Sequence, residues 1–480
     1  MKKHNLFKVV GIAILVTVLL TWLLPITYYQ YDIVTGARSQ VGLFDLFKYP
    51  SESLKYFGDI ALYILAIGGF YGVLHKINAY QKLIDNISKK MIGKESIILI
   101  VIMALLAIFT SVCGASMGLL IIVPFIVSLV LAMGYDKITA ALVTVGSISV
   151  GLLGTTISST YISDGYNTTI QNGMGVVNAI LSTKATSQMI AKIVLLVIGL
   201  VLLIVNTLLH IKKNPKSDAA LLKGKEAKKE NSKNNDQCSK TWPIVLIVDL
   251  IFVVSMLSLM SWTSVLKVKW FSKATNAVLS AKIFKFPIFG KILGTVPAFE
   301  NWTLTEIGIL LLIGSFILSI IYKVKFNEYI ESIIAGAKKA LKPAVLTALI
   351  YVVLVIVSYN PITLTITKPL LKLGTGLNVF TMSLVSIIAS VFNVDLGYAA
   401  SSVLPYATQL ITDTKLYPTI ALIWQATYGF VTLVAPTSVI LISILSYLDI
   451  PYGKWLKSNW KLILEILALC LLTFTVLILI

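Results

Sequence analysis

Apolar residues fill long windows of this chain, separated by short polar stretches that carry most of its lysines. A helix rises 1.5 Å per residue, so about 20 apolar residues cross a hydrocarbon core of about 30 Å. Windows of that kind fall at 8–25, 57–75, 138–160, 189–209, 242–262, 303–322, 343–359, 417–446 and 461–480. Lipid offers no partner to backbone N–H and C=O groups, so each window is expected to be a helix. Met1 to Lys8 is basic and leads into the first run without a small-residue cleavage site after it, which reads as an uncleaved first span.

Two further apolar stretches are too long for one span and are interrupted in the middle. The first, 96–133, is broken at FTSVCGASMG (109–118); the second, 377–412, is broken at FNVDLGYAAS (392–401). Each fits two shorter helices meeting at a tip, a re-entrant hairpin tolerated where the tip is buried in protein or lines a cavity. Each is followed by another interrupted span: SVGLLGTTISST (149–160), and QATYGFVTLVAPTS (425–438) with Pro436 inside it. Interior Gly and Pro free backbone groups for other partners. The order of span, broken hairpin and broken span therefore occurs twice, in corresponding places of two halves. The expected fold is an all-α polytopic membrane protein, an inverted-repeat transporter with about nine spanning helices and two re-entrant hairpins.

Composition agrees. The chain is 57% hydrophobic and 13% charged, with mean hydropathy +0.89, against about 25% charged residues in soluble domains. The net charge of +19 is almost all lysine, Arg38 being the only arginine. Base and phosphate readout favour arginine, so the charge is assigned to membrane orientation, not to nucleic acid. The lysine distribution places the amino terminus in the cytoplasm and the carboxy terminus outside a cell membrane. Lys267, Lys269, Lys273, Lys282, Lys285 and Lys291 in the loop 263–302 run against that assignment. Residues 1–211 form the first membrane half, 212–241 a polar, lysine-rich cytoplasmic linker, and 242–480 the second half. The segment 326–342 is amphipathic and is expected to lie in the interface.

Enzymatic chemistry finds little support. GASMG (114–118) matches the G-x-S-x-G pattern, but none of His4, His75 and His210 lies inside a span to serve as its base. Cys113, Cys238 and Cys470 have no metal-ligand spacing, and no nucleotide-binding fingerprint is present. No cofactor is expected; energy would come from solute exchange or from Na⁺ or H⁺ as coupling ion. The solute- or ion-binding candidates are the polar residues at the broken segments. In the first half these are Thr110, Ser111, Ser116, Thr155, Thr156 and Ser158. In the second they are Asn393, Asp395, Ser401, Gln425, Thr432, Thr437 and Ser438. Hydroxyls and freed carbonyls are hard oxygen ligands suited to Na⁺, with no other metal implied. Asp395 stands apart, because an intramembrane carboxylate costs about 2.5–3.5 kcal/mol on insertion scales unless it pairs or meets water.

Several segments are also familiar. QATYGFVTLVAPTSVILISILSYLDIPYGKWLK (425–457), ALYILAIGGFYGVL (61–74) and VPFIVSLVLAMGYD (123–136) resemble the YfcC-like carriers. These belong to the ion transporter superfamily, beside anaerobic four-carbon dicarboxylate carriers and basic amino-acid antiporters. The resemblance implies a scaffold and a transport unit with two hairpins. The chain departs from the pattern at VCGASMG, which lacks the family's acidic residues, at Ser158 and Ser159, and at Asp395, Leu396, Tyr428 and Thr432. The expected function is secondary transport of a small organic solute, an amino acid or related cationic compound first and a four-carbon dicarboxylate second. A channel or structural membrane protein is the reading from another class. The expected partners are the solute and membrane lipid, with a homodimer left open.

Overall fold

The computed structural model of the chain describes residues 5–24, 40–157 without 115, 173–215, 240–299 without 261, 264, 283–285 and 295, 301–373 and 377–479. Ser158, Asp164, Cys238 and almost all of the linker lie outside the described residues. The described residues are helical almost throughout, and eight of the helices are long and apolar enough to cross a membrane.

In the first half, α1 is Asn5–Leu23, α2 Leu43–Lys76, α3 Asn78–Lys90, α4 Glu95–Cys113 and α5 Val123–Ala132. α6 is Lys137–Leu153, α7 Gly173–Leu181 and α8 Met189–Lys213. The second half holds α9 Trp242–Ser258, α10 Trp270–Ser280, α11 Ile288–Leu293 and α12 Leu304–Ile321. It continues with α13 Phe326–Tyr359, α14 Ile362–Leu371, α15 Val379–Asn393 and α16 Leu396–Leu410. α17 is Tyr417–Val434, α18 Val439–Leu448 and α19 Tyr452–Leu479.

The frame is the crossing of α2 and α13. A Cβ on Gly336 would stand 2.1 Å from the Gly68 carbonyl oxygen, and one on Gly72 2.2 Å from that of Ser332. Only glycine lets the two backbones approach so closely, as small residues do in membrane helix pairs. This crossing corrects the expectation for 326–342. That segment is no separate interfacial helix; it continues through Pro343 into α13, and its small face, Ser332, Gly336 and Ala340, is buried on α2.

The two broken stretches become helix pairs with matching fastenings. α4 ends at Gly114 in the left-handed region, and a 3₁₀ turn, Gly118–Ile121, leads into α5. α15 ends at Val394, also at positive φ, and α16 follows at once. α6 stops at Leu153 and α17 at Val434, where the anticipated breaks occur. In the first half the Thr156 N–H donates to the Ser111 carbonyl at 2.8 Å; in the second the Thr437 hydroxyl donates to the Val391 carbonyl at 2.7 Å. Ser111 and Val391 each sit two residues before their helix ends, so the halves repeat in detail as well as in order. The legs differ from the expected half-spans: α4 runs 19 residues, α15 and α16 15 each.

Each half also reaches into the other. Gly173, at the start of α7, lies so close to the tip of the second pair that a Cβ there would be 2.5 Å from the Gly397 nitrogen. α18 lines a small cavity together with Leu120, Val123 and Pro124 of the first pair. Tyr63 and Tyr71 of α2 donate to the Gly118 and Ile121 carbonyls at 3.0 and 2.9 Å, fixing the second leg of the first pair.

Candidate functional site

Both tips, both broken helices and the frame meet at one cavity of about 130 Å³, the space of a few water molecules. Gly114, Ser116 and Gly118 come from the first tip, Val394, Asp395 and Leu396 from the second. Thr155 stands at the break after α6, Gln425 and Tyr428 on α17, and Asp59 and Tyr351 on the frame helices α2 and α13. The α2 backbone departs from helical geometry at Phe57, two residues before Asp59, and the Phe57 ring stacks on Tyr351 at 4.4 Å. That kink helps bring a frame carboxylate to the cavity.

Asp395 has a structural duty and a residual capacity. It is the N-cap of α16: its Oδ1 accepts from the Gly397 and Tyr398 N–H groups at 2.7 and 3.4 Å, as a short acidic side chain does at a helix start. Its Oδ2 makes no hydrogen bond among the described residues. Gln425 is similar. Its Nε2 donates to the Leu153 carbonyl at 3.1 Å, tying α17 to the broken end of α6, while its buried Oε1 has no partner among the described residues. A buried amide oxygen left unpaired carries a desolvation cost of about 1–3 kcal/mol, so a cavity occupant that donates to it or coordinates through it is stabilised.

Of the residues anticipated from the sequence, the cavity brings together Ser116, Thr155, Asp395 and Gln425. Most of the other described candidates hold the framework. Ser111 donates to the Gly154 carbonyl at 2.6 Å and lies 3.2 Å from the Thr156 hydroxyl. Thr110 and Thr432 bond back to carbonyls of their own helices, the common fate of helix threonines. Asn393 donates to the Thr363 hydroxyl and the Ala389 carbonyl, latching α15 to α14. Ser438 caps α18 and donates to the Thr432 carbonyl. Ser401 is exposed on the outer face of α16 and does not reach the cavity. Asp59, Tyr351, Tyr428, and Gly173 with Met174 are cavity residues that the sequence reading missed. A carboxylate near the start of an apolar span was the available signal for Asp59, and Tyr428 stands inside the second broken span as a departure from the carriers' pattern; no local pattern announces Tyr351, Gly173 or Met174.

Paired broken helices around a partly polar cavity are an arrangement found in membrane transporters. The model of the DcuC family, the C4-dicarboxylate anaerobic carriers, matches residues 35–480, and the chain belongs to that family. No curated protein matches it in a sequence search. Among solved structures it is similar to the Alcanivorax borkumensis YdaH transporter, at 10% identity over 98% of this chain and 97% of that chain with a TM-score of 0.40. It is also similar to MtrF of Neisseria gonorrhoeae, described within a class of antimetabolite efflux pumps, at 11% identity over 98% and 94% with a TM-score of 0.39.

Proposed function

We propose that the chain is a secondary carrier, ion-coupled or exchanging, that moves a small organic solute bearing a positively charged nitrogen, an amino acid or a close relative, through the cavity between the two tips. One observation carries this reading. The cavity is bordered by two carboxylates, Asp59 and Asp395, and among its described lining residues there is no lysine, arginine or histidine. An ammonium group gains from such a lining. The solute's carboxylate would turn toward Ser116, Thr155 and the first turn of α7, whose positive dipole end faces the cavity at Gly173. In this proposal the helix pairs are re-entrant, the chain sits among the YfcC-like carriers, and the amino terminus is cytoplasmic.

The second reading is a four-carbon dicarboxylate as solute, favoured by the family's name. Against two carboxylates a dianion would have to enter with Na⁺ or protons. Counterflow in proteoliposomes separates the readings: labelled cationic and neutral amino acids and C4 dicarboxylates are each offered with and without a Na⁺ gradient. Exchange of an amino acid but no dicarboxylate is the expected outcome, and exchange of dicarboxylates alone would overturn the preferred solute while leaving the carrier.

A further inference from the structure

Between α9 and α12 the chain makes a detour for which the cavity gives no reason. α10 has no buried residue. Trp270 is 65% exposed and Ile292 75%, and Val278 and Phe286 are exposed as well. Lys269, Lys273, Lys282 and Lys291 are exposed around them and form no ion pair among the described residues. Over 263–302 six lysines are set against one acidic residue, Glu300. A surface mixing bare aromatic and aliphatic groups with uncompensated lysines fits poorly against water. It fits the headgroup layer of a bilayer, where apolar groups sink to the acyl boundary and lysines meet phosphates.

The position of the detour supports this. α9 leads into Leu259 and α12 begins at Leu304, and both residues border the cavity. An unbroken series of aromatic contacts ties α10 to the start of α12: Trp262 to Phe271 at 4.5 Å, Phe271 to Phe299 at 5.4 Å, and Phe299 to Trp302 at 5.3 Å. That packing leaves Trp270 as the exposed indole of the unit, and exposed Trp is enriched where membrane meets water. A Cβ on Gly290 would stand 2.5 Å from the Leu279 carbonyl oxygen, so α11 is packed tightly on α10 and the two form one unit.

We infer that the α10–α11 unit is a lipid-binding surface that takes the headgroups of anionic phospholipids, with Lys269 and Lys273 on the phosphates and Trp270 in the interface. The bilayer leaflet thereby holds the ends of the two helices that border the cavity. The lysine cluster that conflicts with the orientation rule is then a headgroup site, whichever side it occupies.

The test uses the full chain in nanodiscs containing brominated phosphatidylglycerol or, at equal mole fraction, brominated phosphatidylcholine. Native protein is compared with Trp270→Phe and with Lys269→Gln/Lys273→Gln, each first checked for a monodisperse elution profile. Bromine quenches only nearby indoles, so the Trp270 contribution is the difference between native protein and Trp270→Phe. That contribution should be quenched more by phosphatidylglycerol. The preference should fall about fivefold for each lysine removed and weaken in high salt. Equal quenching of the Trp270 contribution by the two lipids, or a preference in that contribution that survives loss of both lysines, would each overturn the inference.

Discussion

Asp395 is where the cap and the charge can be separated. Its Oδ1 receives the Gly397 N–H at 2.7 Å, and asparagine caps helix starts as well as aspartate does. Asp395→Asn therefore keeps the turn between α15 and α16 while removing the charge. Asp395→Ala removes both, at about 1 kcal/mol for the lost cap. Two measurements are needed: the thermal midpoint of the detergent-purified protein, and the KM for counterflow. The expected midpoint is unchanged for Asn and lowered for Ala. A carboxylate and an ammonium about 4 Å apart at an effective dielectric of about 20 attract by roughly 4 kcal/mol. Even with much of that returned as desolvation, loss of the charge should raise the KM of a cationic amino acid at least about tenfold. The sign is the informative part: for a dicarboxylate the same substitution removes a repulsion and the KM should fall. Unchanged amino-acid counterflow by Asp395→Asn, with failure of Asp395→Ala, would show that the residue is a cap and nothing more.

Four further substitutions have outcomes that the contacts set. Gly336→Ala places a methyl 2.1 Å from the Gly68 oxygen and 2.7 Å from the Gly72 Cα, both backbone atoms, so it should destabilise by about 1–3 kcal/mol in a thermal-shift assay. Gly308→Ala, whose methyl would meet only Ala66 at 3.8 Å, should leave the stability within about 0.5 kcal/mol of native. Gln425→Leu, which removes the tie to Leu153 and the unpartnered oxygen, should lower uptake by about tenfold or more while the protein still inserts; native uptake would show that Oε1 does not serve the solute. Asp136 lies in the turn before α6, where burial alone would raise its carboxyl, but the His210 and Thr139 hydrogen bonds outweigh that and hold it down to about 2. A carboxyl depressed from 3.8 stabilises the fold above about pH 4 and loses that contribution as pH falls toward 2. The acid limb of a fluorescence-monitored unfolding profile should therefore flatten between those values in Asp136→Asn.

The spans were legible because a helix in lipid needs nothing beyond length and apolarity, and the two breaks were legible because Gly, Pro and small polar residues stand where apolar runs should continue. Short helices were not. α3, α7 and α14 are too short to span and mix polar with apolar residues, so no window of 20 singles them out. The amphipathic stretch 326–342 misled for a related reason: its small residues look like a mild surface face until a second helix with Gly68 and Gly72 is laid against them. At the site, sequence proximity to a break located Ser116, Thr155, Asp395 and Gln425. It also drew in Thr110, Thr432 and Ser438, which lie just as near but donate to carbonyls of their own or the preceding helix. Asp59 carries only the weak sign of a carboxylate near the start of an apolar span and Tyr351 carries none; tertiary packing brings both to the cavity.

The cavity's charge bears on what family membership can and cannot decide. In this chain the frame, the paired breaks and the fastenings at Ser111 and Val391 are set by backbone geometry and small residues. In the proposed reading the solute is selected by the few side chains that line the cavity between the tips. Here Asp395 comes from the second pair and Asp59 from the frame, so the negative lining is assembled from two parts that are free to change independently. If the paired elements shift against the frame during transport, the two carboxylates separate, and a cation held by both is held less tightly in one state than in the other. A change of affinity between states is what allows a carrier to release its solute. Asp59→Asn should therefore alter the affinities on the two sides unequally, whereas a cavity that moves as one block would weaken both by the same factor. Binding assays on right-side-out and inside-out vesicles distinguish the two.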